Sequence, residues 1–175
     1  ILRKYNLNLK NLNYFFLITK KIFSHQTNKL MKVGLYESTG RPEVYKWIHE
    51  AAKKIKQLGS DVLCSVELLE NLKERKDSTD IGFIKSYNQE DLGKHIDIMI
   101  TFGGDGTILS AAHLLMKSEV PILGFNVGKL GFLAEFSVNN MEITLTNILN
   151  GKYRIVERAV LNTKINDQDI YALND

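Results

Sequence analysis

The sequence predicts an α/β fold: an open, mostly parallel sheet with flanking helices, followed by the start of a β-rich C-terminal domain. Three observations predict it. From Met31 onward short apolar runs alternate with stretches of helical periodicity; the apolar run at residues 96–100 meets a glycine-rich turn that opens at once into a helical pattern; and beyond Gly151 the texture changes to the alternation of paired strands. At 175 residues there is room for one ordinary domain and a piece of another. With 44% hydrophobic and 25% charged residues and no low-complexity tract or internal repeat, the composition is that of a globular chain.

Residues 1–30 stand apart. They carry Arg3, Lys4, Lys10, Lys20, Lys21 and Lys29 and no acid, so the formal net charge of +3 conceals a mildly acidic remainder. Such a remainder shows no basic face for nucleic acid. The apolar cluster at residues 14–18 is too short to span a bilayer, and a targeting peptide would want a small-residue cleavage site and more Arg and Ser. The expectation is that Met31 is the natural start and that residues 1–30 are extra sequence, disordered or loosely packed. An α/β nucleotide-binding domain is then expected over residues 31–150, and a truncated β-rich domain over 151–175.

Residues 32–36 read as a first strand, and residues 37–41, with Ser38, Thr39 and Gly40, as a loop. Pro42 suits the first turn of a helix, and Val44, Trp47, Ile48, Ala51, Ala52, Ile55 and Leu58 recur at helical spacing up to Gly59, its stop. Trp47 at this spacing reads as core rather than as a stacking platform, and His49, off the stripe, as a solvated surface residue. Residues 61–66 give a second strand, with Cys64 as core packing; a single cysteine forbids an internal disulfide and fits a reducing compartment. A short amphipathic helix follows over 67–76, then an irregular polar stretch and a turn or short helix over 88–94. His95 and His113 have no Cys or second His at ligand spacing, which excludes a zinc site. Residues 120–125 form another buried strand, residues 139–150 a helix stopped by Gly151, and residues 153–165, 166–169 and 170–173 a strand, a tight turn and a returning strand. Strand-helix alternation implies parallel pairing with right-handed crossovers.

The central stretch carries the chemistry. Ile96, Ile98, Met99 and Ile100 form a strand buried on both faces. Gly103, Gly104 and Gly106 then bare the turn, and from Thr107 onward Ile108, Ala111, Ala112, Leu115 and Met116 lie at helical spacing. Free amides and the positive end of the helix dipole face the loop, which favours an anion. Asp105 is the only charge there. Two readings stay open: it caps the helix, or, with Thr107 as the cap, it orients a metal-bound phosphate or accepts a proton. The pattern matches neither GxxxxGK[ST] nor GxGxxG. Because ligands gather at the carboxyl ends of parallel strands, residues 103–106 and 126–128 are expected to line one crevice. Phe132 and Leu133 serve there either as core or as an apolar ligand wall.

GGDGT after a strand, followed by PILGFNVGKLGFLAEF at residues 121–136, resembles the NAD kinase family. GGDG alone is shared with the diacylglycerol and sphingosine kinases and more loosely with phosphofructokinases. The N-x-G-x-L-G-F-L spacing on Asn126, Gly128, Leu130, Gly131, Phe132 and Leu133 narrows the match, and Ala172, Leu173, Asn174 and Asp175 resemble the family's Asn-Glu/Asp motif. The resemblance covers roughly residues 31–175. It implies transfer of the γ-phosphoryl of ATP, or of polyphosphate, to the 2′-hydroxyl of NAD's adenosine ribose, with Mg²⁺ or another divalent cation accompanying ATP. It assigns Asp105 as the catalytic proton acceptor and Gly103, Gly104, Asp105, Gly106, Thr107, Asn126, Phe132, Asn174 and Asp175 as binding residues for the nucleotides, with no protein metal ligand. It also carries the expectation of a cytoplasmic homo-oligomer that binds neither nucleic acid nor membrane. The alternative for Asn174 and Asp175 is a plain turn. One departure is Ser110, where some members carry a basic residue. The family's further β-rich segments are absent, so the chain reads as an N-terminal fragment, inactive alone. The rival readings are a lipid kinase sharing the GGDG loop and a non-catalytic nucleotide-binding module.

Overall fold

The computed structural model describes residues 12–24, 30–75, 81–128, 131–165 and 168–173, with residues 12–24 and those after Val160 described by their backbone. In chain order the elements are β1 (Leu12–Ser24), β2 (Lys32–Tyr36), α1 (Pro42–Gln57), β3 (Asp61–Ser65), α2 (Val66–Lys73), β4 (Lys85–Tyr87), α3 (Gln89–Leu92), β5 (Ile98–Phe102), α4 (Asp105–Leu114), β6 (Ile122–Asn126), β7 (Phe136–Ser137), α5 (Met141–Leu149), β8 (Lys152–Ile165) and β9 (Gln168–Leu173).

The near-continuous apolar strands are explained by their position. β5 and β6 are buried at all five residues each, with β2 and β5 paired in parallel on one side and β5 and β6 on the other. Alternate side chains pass to opposite faces. Ile98, Ile100, Phe102, Leu123 and Phe125 enter one core with α1, α2 and α5, whereas Met99 and Ile122 enter a second core with Ile108, Ala111 and Ala112 of α4. Each fully buried aliphatic or Phe side chain contributes about 1.5–3 kcal/mol relative to exposure. Phe102 stacks on Phe125 at 5.6 Å between centroids, and Phe136 meets Phe125 edge-on at 6.3 Å.

Among the described residues the sheet runs β4-β3-β2-β5-β6-β1-β8-β9, with β7 pairing β6 in parallel beyond the point where β1 leaves it. Pairing is parallel from β4 through β1 and antiparallel for β1 with β8 and β8 with β9. The expected α/β sheet is therefore present, and the hairpin β8–β9 continues it.

The structure corrects the expectation for part of residues 1–30. Leu12–Ser24 is not loosely packed but a strand, the one that joins β6, through Leu17 opposite Ile122, to β8, through pairs from Leu12 opposite Leu161 to Ser24 opposite Lys152. Its backbone bonds go to segments distant in sequence, which local composition does not report. His49 is a second correction. It is buried, not solvated, because the buried face of α1 includes the row Tyr45, His49, Ala52 beside the apolar row Val44, Ile48, Ala51, Ile55. Trp47 is partly buried against the core, as its spacing indicates, with the Lys46 ammonium over its ring. Residues 85–87, read as irregular, form the edge strand β4, and His95 stacks on its Tyr87 at 4.0 Å. Gly59, with φ of +86°, ends α1 in the left-handed conformation that glycine tolerates best.

Two outcomes follow from this packing. Removing residues 1–30 strips β8 of its neighbour toward the parallel sheet and leaves β8–β9 as a two-stranded ribbon, marginal in water; thermal denaturation should show a lower midpoint for the shortened chain than for the intact one. Burial pushes the Cys64 thiol up to about 12. Ellman's reagent at pH 8 should therefore leave the native thiol unmodified and titrate it fully in denaturant.

Candidate functional site

The glycine turn forms where β5 ends. Gly103 N donates to Phe125 O of β6 at 2.9 Å, which ties the turn to the neighbouring strand. A side chain at Gly103 would overlap Thr107, so the turn is closed tightly on the first turn of α4. Gly104 is the N-cap and no side chain caps the helix. Thr107 is therefore not the cap. It lies inside the first turn, 2% exposed, and its Oγ1 accepts from the Ser38 hydroxyl at 3.1 Å. Gly104 and Gly106 differ from Gly103: around the position of an added Cβ at either one there is open space.

Asp105, the first residue of α4, does not cap its own helix either. Its carboxylate turns to the loop after β6, where Oδ2 accepts from Phe132 N at 2.9 Å and Oδ1 from Leu133 N at 3.1 Å and Ala134 N at 3.0 Å. Gly131 is the residue that permits this approach, since a Cβ there would overlap the Asp105 carboxylate. Gly124 similarly lets Ile108 of α4 close onto β6. Burial raises the Asp105 pKa, but the amides of Ala134, Phe132 and Leu133 outweigh it and hold the carboxyl below its ordinary range.

The other expected site residues divide. Asn126, the last residue of β6, is 3% exposed and accepts from Gly128 N through Oδ1 at 2.6 Å, a side-chain turn that bends the chain away from the sheet. Leu133 is buried in the core around α4, whereas Phe132 is 84% exposed, so of the two only Phe132 remains available as a wall. The two motifs at residues 103–107 and 126–134 thus meet at the carboxyl ends of adjacent strands. Leu130, Asn174 and Asp175 lie outside the described residues. Sequence reasoning missed Ser38 and Tyr36, which follow and end β2, next to β5; the carboxyl-end rule applied to residues 37–41 would have found them. Ser110 donates to Gly106 O at 3.0 Å and bonds the Tyr36 hydroxyl. Burial and the Glu37 charge raise the Tyr36 pKa against that bond.

A parallel sheet with an amide-lined turn at its carboxyl edge, clasped to a second glycine-flanked loop, marks an open α/β domain with a prepared crevice. The chain belongs to the NAD kinase family: the model of the ATP-NAD kinase N-terminal domain matches residues 15–153, a span that begins within β1. Relatives named NAD kinase include one from Methanopyrus kandleri, 36% identical over 131 residues, 75% of this chain and 45% of that protein. Another, from Methanothermobacter thermautotrophicus, is 29% identical over 146 residues, 83% of this chain and 48% of that protein. Among solved structures, yeast NADH kinase complexed with NADH superposes with a TM-score of 0.67 at 19% identity, over 96% of this chain and 54% of that one, a likeness of fold. The chain spans about half the length of the curated relatives it matches.

The clasp generates a measurable pH dependence. In Asp105→Asn one side-chain atom becomes a donor facing backbone N–H groups, so the variant should lose about 1–3 kcal/mol near pH 7. A carboxyl whose folded pKa is depressed stabilises above its unfolded value, about 4, and loses that contribution as pH falls through the folded value. Urea denaturation at a series of pH values should show the gap between wild type and variant closing below about pH 4.

Proposed function

We propose that this chain is the N-terminal part of an NAD kinase that moves the γ-phosphoryl of ATP to the 2′-hydroxyl of the adenosine ribose of NAD, giving NADP. The observation that carries the reading is the start of α4, where no side chain caps the helix, the space around the Cβ positions of Gly104 and Gly106 is open, and Asp105 clasps the next loop beside them. Phosphoryl transfer needs positioning and charge stabilisation more than covalent chemistry from the protein. Gly103 N and Thr107 N are taken by Phe125 O and Gly104 O, so the amides of residues 104–106 and the α4 dipole supply the cradle for phosphate oxygens.

Asp105 suits the part of proton acceptor by its hydrogen-bond count. Oδ1 accepts two amides and Oδ2 only one, so Oδ2 keeps a lone pair for a hydroxyl. Its lowered pKa makes it a weaker base but keeps it ionised, which suits a loose transition state in which the hydroxyl proton leaves late. Phe132, exposed next to Oδ2, offers a ring face to the acceptor's adenine, and Asn126 shapes the turn that leads to it. Asn174 and Asp175 would add hydrogen bonds to ribose hydroxyls or adenine. Among the described residues no three His, Cys, Asp or Glu side chains gather as a metal site, and Asp105 is committed to amides. The described residues therefore do not build a Mg²⁺ cage, and a divalent cation would arrive on the phosphates of ATP.

The activity belongs to the longer protein, and the test is made there. With the chain extended to the length of its relatives, Asp105→Asn should lower kcat by roughly 10²–10⁴ while the Kd for NAD changes by far less. The 175-residue chain alone should form no NADP from NAD, ATP and Mg²⁺. Wild-type turnover by the variant, or phosphorylation of diacylglycerol in place of NAD by the extended protein, would sink the reading.

A further inference from the structure

A cavity of about 310 Å³ opens at the carboxyl ends of β2 and β3, and no residue of the clasp between the two motifs lines it. Its walls are the loop after β2, the start of α2 and the start of α3, with Glu37, Tyr45, Glu67, Leu68, Asn71 and Gln89 among the lining residues. The loop is preset. Glu37 Oε2 accepts from Thr39 N at 2.7 Å and Gly40 N at 2.8 Å, and Oε1 accepts from the Tyr45 hydroxyl at 3.1 Å. Arg75 stacks on the Tyr45 ring at 3.8 Å and fixes that wall from behind. Ser38 links the cavity to the first turn of α4, because it lines the cavity and donates to Thr107.

We propose that this cavity receives the nucleoside of the phosphoryl donor, whose phosphates then run past Ser38 onto the amides of residues 104–106. The inference rests on the kinase reading and deepens it. Charge divides the ligand: the carboxylates of Glu37 and Glu67 repel phosphates, which leaves the polyphosphate to the positive end of α4, while the same carboxylates accept hydrogen bonds from neutral donors such as ribose hydroxyls or a base amino group. The side chains of Leu68 and Tyr45 supply apolar surface for a base, and the amides of Asn71 and Gln89 can serve either of its edges. The volume lies at the lower end of small-molecule sites, roughly 300–1,000 Å³.

Inorganic tripolyphosphate carries the phosphates without the nucleoside, so calorimetric titration of the 175-residue chain with ATP and with tripolyphosphate, both with Mg²⁺, isolates the cavity. ATP should bind at least about tenfold more tightly. Asn71→Trp and Gln89→Trp, both at positions outside the buried core, fill the cavity; each should bring ATP down to the affinity of tripolyphosphate and leave tripolyphosphate unchanged. The inference is overturned if wild type shows no ATP binding, if ATP and tripolyphosphate bind alike, if both filled variants keep the preference, or if NAD displaces ATP competitively. NADP formation by the extended protein is scored separately, so a working kinase that keeps its KM for ATP in both filled variants would reject the cavity while leaving the kinase reading intact.

Discussion

The carboxylate of Asp105 is the constraint on which the crevice depends. Its amide partners lie 27, 28 and 29 residues further along the chain, past a helix and a strand. A neutral amide of the same size has one accepting oxygen where Asp105 uses two for three N–H groups, and an unsatisfied amide in a partly buried loop is costly. The glycine at position 131 and the charge at 105 are therefore one device: the missing Cβ makes room for the oxygens, and the oxygens hold the loop. The same device fixes Phe132 outward, since its N–H is bound while its ring remains in solvent. Because Asp105 clasps a loop, loss of turnover on its replacement carries meaning only beside a measure of folding.

Much of this was legible from spacing. The β5–α4 unit announces itself because a run buried on both faces must be continuously apolar and because the period changes to helical at the glycines. The bounds of β2 were read as they occur, and those of α1 to within a residue at its C-terminal end. What composition and period do not carry is anything set by a distant partner. The direction of the Asp105 carboxylate is decided by the loop after β6, and so the choice between Asp105 and Thr107 as the cap was a choice between two residues of which neither caps. His49 is polar in the sequence but lies in a row covered by the fold, because the buried face of α1 is wider than its apolar stripe. β1 holds four aromatic residues and four Leu or Ile, but it lies in an Asn- and Lys-rich stretch and its partners are about a hundred residues or more away, so its place in the sheet is visible only through its pairing with β6 and β8.

The crevice also illustrates how a mildly acidic domain can prepare a place for anions. The amide groups and the α4 dipole concentrate partial positive charge within one turn, over a range shorter than the screening length in the cell. Lysine and arginine are absent from residues 101–107, so the attraction is rigid and costs no side-chain ordering. The carboxylates of Glu37 and Glu67, distant in sequence, line the neighbouring cavity at the ends of β2 and β3 and give it the opposite charge.

The strand that joins the two halves of the sheet precedes both of its partners in the chain. On the ribosome Leu17 waits for Ile122 and Leu12 for Leu161, so β1 emerges long before either neighbour exists. Until β6 and β8 are made, it is a long strand with both hydrogen-bonding edges open, the kind of segment that pairs with another chain when concentrations permit. Lys20 and Lys21, adjacent within that strand, place charge where a sticky intermediate would otherwise recruit copies of itself. Closing the sheet around β1 pairs residues about a hundred or more positions apart, the kind of non-local contact that slows folding.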